Sequence, residues 1–186
     1  MKYLRLWGLV VGLLTGCTAA VPPAAAPPAA PVTAEAQPAE RWILVRKTER
    51  TLTLYEGARI VKIYPVVLGK DPVRAKLHQG DYRTPEGEYH ISAKYFHPYW
   101  SRFMLLDYPT PVNQEIYAWS RANGLLPARG RTVPGIGGAV GIHGTEHENL
   151  NRRGVNWTQG CVSLLNHDVE ELYDLVPIGT RVVIER

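Results

Sequence analysis

From Arg41 onward the apolar residues come in short runs and alternations broken by polar turns, the pattern of β-structure. Trp42-Ile43-Leu44-Val45 is one such run, and Lys47-Thr48-Glu49-Arg50 is the turn that follows. Leu52 and Leu54, then Ile60, Ile63 and Val66, continue in strands, with Glu56-Gly57 as the turn between them. Thr84-Pro85-Glu86-Gly87 is a turn by composition. Tyr89 to Ala93 and Phe103 to Leu106 read as two further strands. Thr110-Pro111 predicts a helix with Thr as N-cap, Pro in its first turn and Gly124 as its stop. Ile116 and Trp119 would share its buried side, and Tyr117 would join Trp119 in the helix core.

Residues 125–138 are rich in Gly and Pro and read as loop. Ala139 to His143 is predicted as a strand, 146–157 as a polar loop, and Cys161 to Leu165 as a strand. A helix runs from about Asn166 to Val176, and Asp168, Glu170 and Glu171 near its start suit the positive end of its dipole. Arg181 to Ile184 closes the chain as a strand. The sum is a mostly β domain with a few helices, a mixed sheet or small sandwich.

The first 40 residues follow different rules. Lys2 and Arg5 form a basic start and Leu6 to Leu14 a short apolar stretch, which is a secretory signal too short to span a bilayer. It ends in Leu14-Thr15-Gly16-Cys17, which resembles a bacterial lipobox with Cys17 as the lipidated residue. Thr18 to Glu40 is mostly Ala and Pro, cannot build a core, and reads as a tether reaching roughly 60–70 Å. The expected organisation is therefore a signal peptide over 1–16, a lipidated Cys and tether over 17–40, and one folded domain over 41–186. The expected location is the periplasmic face of the cell envelope, on the outer membrane where the cell has one, with the lipid on Cys17 as membrane partner. Without Lys2 and Arg5 the chain holds 19 basic and 17 acidic residues. A balance of +2 gives no argument for nucleic acid.

Candidate chemistry centres on Ile142-His143-Gly144-Thr145 and Thr158-Gln159-Gly160-Cys161-Val162. The other cysteine, Cys17, belongs to the targeting segment, so Cys161 is the thiol of the folded domain. A lone Cys is often just a small buried apolar residue. Paired with a His it reads as a nucleophile and its base. If the strands ending at His143 and beginning at Cys161 are neighbours, the two side chains meet. The Gly160 and Cys161 amides could then share an oxyanion, and the Gly144 carbonyl could fix the imidazole tautomer. His143 and His147 stand at i, i+4, but glycine-flanked breaks argue against a helix there, so no metal is expected, and no cofactor.

Ile-His-Gly-Thr, a loop, Thr-x-Gly-Cys-Val, a helix, Pro-x-Gly-Thr and a terminal strand together resemble the L,D-transpeptidase catalytic domain, also called the YkuD domain. The turn Arg83-Thr84-Pro85-Glu86-Gly87 before a strand is similar too, and the resemblance covers about residues 42 to 185. It implies that Cys161 is the nucleophile, His143 its base, and that Gly160 and Cys161 form the oxyanion hole while Thr158 shapes the loop. The implied partner is a peptidoglycan tetrapeptide stem, attacked at the carbonyl of its third residue, a diamino acid. A thioester forms, D-Ala leaves, and an amine acceptor gives a 3→3 crosslink.

Two positions depart from the family pattern. Gln159 stands where many members have His, and Ser163 where many have an Arg that can bind a substrate carboxylate. Arg152 and Arg153 are candidates to replace that Arg, with plain surface charge as the competing reading. The Ser163 change also resembles a branch linked to cutting bonds at the diamino acid. An L,D-carboxypeptidase or amidase is thus the first rival, and a non-catalytic wall-tethering lipoprotein the second. Trp157 is a pocket wall or core, and Tyr95-Phe96-His97-Pro98-Tyr99-Trp100 is read as a packed loop ahead of a groove wall.

Overall fold

The computed structural model describes residues 40–128 and 132–186. The expected signal peptide, Cys17 and nearly all of the expected tether lie outside the described residues. Three strands, β1 (Arg41–Arg46), β2 (Thr51–Glu56) and β3 (Arg59–Pro65), form an antiparallel meander. On its other side β1 pairs in parallel with β8 (Arg181–Glu185). The sheet continues through β4 (Gly87–His97), β5 (Ser101–Leu106), β6 (Gly141–His143) and β7 (Val162–Ser163), in the order β3-β2-β1-β8-β4-β5-β6-β7.

The apolar pattern accounts for this placement. Ile43, Leu44 and Val45 are all buried, as suits an interior strand covered on both faces. Leu52 with Leu54, and Val182 with Ile184, alternate inward with period two. β4 is long enough to serve both halves: its first residues pair with β8 and its last with β5, with an irregularity between Ile91 and Ala93 where the strand changes partner. The chain leaving β3 then crosses to β7. Val67 bridges Ser163 and Gly69 bridges Thr158, so the sheet curls until its two ends meet beside the Cys161 loop. Leu68, Ile142, Val162 and Leu164 fill the interior, together with Val169 and Leu172 from α3 (Asn166–Leu175). Each such side chain contributes about 1.5–3 kcal/mol of burial.

α1 (Pro111–Ala122) begins where the sequence places it, with Thr110 and Asn113 forming a reciprocal cap. Its expected apolar face is not in the core: Ile116 is 46% and Trp119 61% exposed, and Ser120 is its one buried residue. Too few apolar residues share a stripe, and the helix is tied down by polar bonds instead. Tyr117 is half-buried and donates from Oη to the Pro134 carbonyl at 2.9 Å. The expected loop over 146–157 contains a short helix, α2 (Glu148–Arg152), with a Glu148–Arg152 pair of 3.1 Å at i, i+4 spacing. The strands on either side of the site are shorter than the apolar runs that suggest them.

Candidate active site

β6 ends in His143, which pairs across to Phe103 in β5 on one side and Ser163 in β7 on the other. The strands carrying His143 and leading from Cys161 are therefore adjacent and parallel. His143 Nδ1 lies 2.6 Å from the Gly144 carbonyl oxygen. A carbonyl can only accept, so Nδ1 carries the proton and Nε2 keeps its lone pair. Gly144 has no room for a side chain: a Cβ there would sit 2.3 Å from Asn166 Oδ1 and 2.4 Å from the Trp100 carbonyl.

The same carbonyl takes a second hydrogen bond, from Ser163 Oγ at 2.9 Å. Asn151 Nδ2 donates to Ser163 Oγ at 3.1 Å, and Trp157 Nε1 donates to Asn151 Oδ1 at 2.8 Å. A continuous chain of donors thus runs from the 146–157 segment to the group that fixes the imidazole. Trp100 stacks on His143 with centroids 4.2 Å apart, and Phe103 lies nearly parallel to it at 5.6 Å. This burial pushes the imidazole pKa down to about 4.

Cys161 follows Gly160, whose φ of +143° is a conformation that other residues rarely adopt. Burial pushes the thiol up to about 11, against the smaller opposing effects of a backbone hydrogen bond from Gly141 and the Lys76 charge. Burial thus works against the charged form of both groups, the imidazolium and the thiolate. Thr158 Oγ1 accepts from the Gly160 amide at 3.1 Å and donates to the Cys161 carbonyl at 2.7 Å. The Gly160 amide is thereby occupied, whereas the Cys161 amide has no backbone acceptor among the described residues.

His143 and Cys161 open on one cavity of about 600 Å³. Thr158, Gln159, Gly160 and Trp157 line it with them. Gly144 and Ser163 lie behind His143, where they position it and are themselves buried. Arg152 and Arg153 do not line the cavity, and Arg152 is engaged by Glu148 at the surface. Trp100, Tyr95 and His97 do line it, so the aromatic segment read first as packing is a wall of the site. Lys70 and Lys76 also line it and went unnoticed in the sequence, because only the crossing of the chain after β3 brings them there.

The family model for the YkuD L,D-transpeptidase catalytic domain matches residues 40–184. The relative YqjB of Bacillus subtilis (strain 168), assigned by name to the L,D-transpeptidases, is 28% identical over 79% of this chain and 72% of its own. The YkuD relative of Bacillus licheniformis is 30% identical over 76% of this chain and 64% of its own. Among solved structures, the helical cell shape determining protein Pgp2 of Campylobacter jejuni superposes with a TM-score of 0.57 at 22% identity, covering 79% of this chain and 48% of that one. The L,D-transpeptidase of Xylanimonas cellulosilytica (residues 123–326) gives 0.51 at 17% identity, over 81% of this chain and 62% of that one. The chain thus spans about half to two thirds of most of these proteins, and the structural likenesses carry the fold. With the family model matching nearly all of the described residues, the chain belongs to the L,D-transpeptidase catalytic domain family.

Proposed function

We propose that this L,D-transpeptidase acts on peptidoglycan tetrapeptide stems through a thioester on Cys161. The observation that carries the reading is the tautomer of His143: Nδ1 is held by the Gly144 carbonyl, and Nε2 is left as a base on the cavity that Cys161 shares. The thiol proton passes to Nε2 as Sγ attacks the carbonyl of the third stem residue. The negative charge then gathers on the carbonyl oxygen, where the Cys161 amide meets it. On collapse the C–N bond breaks, and the imidazolium returns its proton to the departing D-Ala amine. An acceptor amine attacks the thioester, loses its proton to His143, and releases the thiol with a 3→3 bond formed. Water in place of the amine gives a carboxypeptidase, so the hydrolytic rival differs only in the second step.

The same reading places the protein at the cell envelope, lipid-anchored through Cys17. Its test compares the protein with its Cys161→Ala variant on tetrapeptide muropeptides and sacculi, with products separated by mass. Dimers with 3→3 bonds, absent from the variant, are the expected result. Tripeptides or released wall-bound fragments without dimers would move the assignment to the L,D-carboxypeptidase or amidase. Identical products from both proteins would leave the wall-tethering lipoprotein.

A further inference from the structure

We infer that Lys70 binds a carboxylate of the stem peptide, the role left unassigned by Ser163; this rests on the function proposed above. Among the described residues no Asp or Glu lines the cavity, and its permanently charged side chains are Lys70 and Lys76. The two are in opposite situations. Lys76 Nζ is paired with Asp81 Oδ1 at 2.8 Å and also donates to the His78 carbonyl at 3.2 Å. Both side chains of this pair are nearly inaccessible, at 4% and 1% exposed. Asp81 is fixed in turn by the amides of Leu77, His78 and Arg83. The Lys76 charge is therefore met from within the fold.

Lys70 has no carboxylate partner and no side-chain hydrogen bond among the described residues. Its Nζ rests over the face of Tyr82, 5.3 Å from the ring centroid. Its backbone, by contrast, is fixed, since the Lys70 amide donates to the Thr158 carbonyl at 3.1 Å, beside the turn that ends in Cys161. The result is an exposed ammonium on a flexible stem, anchored at the nucleophile loop. Arg83 is taken by Asp71 at 2.9 Å and Arg152 by Glu148, while Arg153 stands off the cavity. His143, neutral at pH 7, adds no charge. Among the described residues, a substrate carrying carboxylates at its diamino acid and at its terminal D-Ala therefore meets one uncommitted lysine, Lys70.

The test is a calorimetric titration of the full chain carrying Cys161→Ala with a tetrapeptide stem whose third residue is diaminopimelate. Lys70→Met keeps most of the length of the side chain and removes its charge, and is expected to weaken binding roughly fivefold to tenfold. Lys70→Arg is expected to restore most of it. Two further peptides each lack one carboxylate, through a C-terminal amide or through lysine in place of diaminopimelate. The peptide missing the contacted carboxylate should bind the Lys70 protein as weakly as the intact peptide binds the Lys70→Met variant, with no further loss when both changes are combined. That result also identifies which carboxylate is held. Equal affinity of the Lys70 protein and its Lys70→Met variant for the intact peptide overturns the inference, as does the same factor of loss on all three peptides, or no binding at all. Thioester formation by the unsubstituted protein, followed by mass, tests the function separately. Lys70-dependent binding without thioester sinks the transpeptidase reading alone, and thioester with Lys70-independent binding sinks the carboxylate assignment alone.

Discussion

The indole of Trp100 lies against the imidazole of His143, centroids 4.2 Å apart and planes 23° from parallel. The contact shields a base whose pKa burial has lowered from 6.5 to about 4. Trp100→Ala admits water to that face, and the pKa should climb back toward 6.5. The acid limb of kcat/KM is then expected to move upward from near pH 4. A limb that stays in place in the variant would show that Trp100 does not provide the shielding.

The same shift has a consequence for stability. Between about pH 6.5 and 4 the unfolded chain binds a proton at His143 that the folded chain refuses, so stability falls as pH drops through that window. Above pH 6.5 the contribution is constant, and the total loss on acidification is about 3 kcal/mol at most. Urea unfolding of the protein and of His143→Asn at pH 7.5 and pH 4.5 isolates it. The variant should lose less stability between the two pH values than the parent does.

Ser163 Oγ links the Gly144 carbonyl to Asn151. Ser163→Ala leaves the half-buried Asn151 amide without its acceptor and removes one of the two bonds on the carbonyl that holds His143. Stability should fall by about 1–2 kcal/mol. The kcat should fall roughly tenfold, within the range that a misplaced general base costs. Denaturation and steady-state rates measured on one preparation check both, and wild-type values for both would remove the positioning role.

Gly160→Ala would place a Cβ 2.7 Å from the Arg83 carbonyl in a backbone conformation unfavourable to Ala. The expected cost is about 1–3 kcal/mol. Displacement of Cys161 should also slow thioester formation, followed by intact mass. Normal acylation in a fully folded variant would show that the loop tolerates another backbone path.

Lys47 has a side chain only 1% exposed and is paired with Glu86 at 2.7 Å. Glu86→Ala strands that charge and should cost about 2–3 kcal/mol, whereas Lys47→Met with Glu86→Leu should be close to neutral. Thermal denaturation of the two variants compares them. Equal losses would mean that the pair contributes more than its own burial costs.

The sequence by itself determined the strand runs, the N-cap of α1, the start of α3 and the two residues, His143 and Cys161, on which the proposed chemistry rests. These are local properties: an apolar run such as Ile43-Leu44-Val45 buries wherever it packs, and Thr110-Pro111 starts a helix through bonds within four residues. The sequence also placed Gly144 correctly beside the imidazole, because the carbonyl next in the chain is within reach of Nδ1. Tertiary structure decided what lies around that pair. Trp100 reaches His143 across the β5–β6 pairing, and Lys70 reaches the cavity because the chain leaving β3 bridges Thr158 and Ser163, far along the sequence. The exposure of Ile116 and Trp119 was likewise unreadable from their spacing, since periodicity gives a helix a face but not a neighbour to bury it. The protonation states were decided at the same level. A histidine and a cysteine in a sequence have ordinary pKa values, and only the burial around these two pushes the imidazole down and the thiol up.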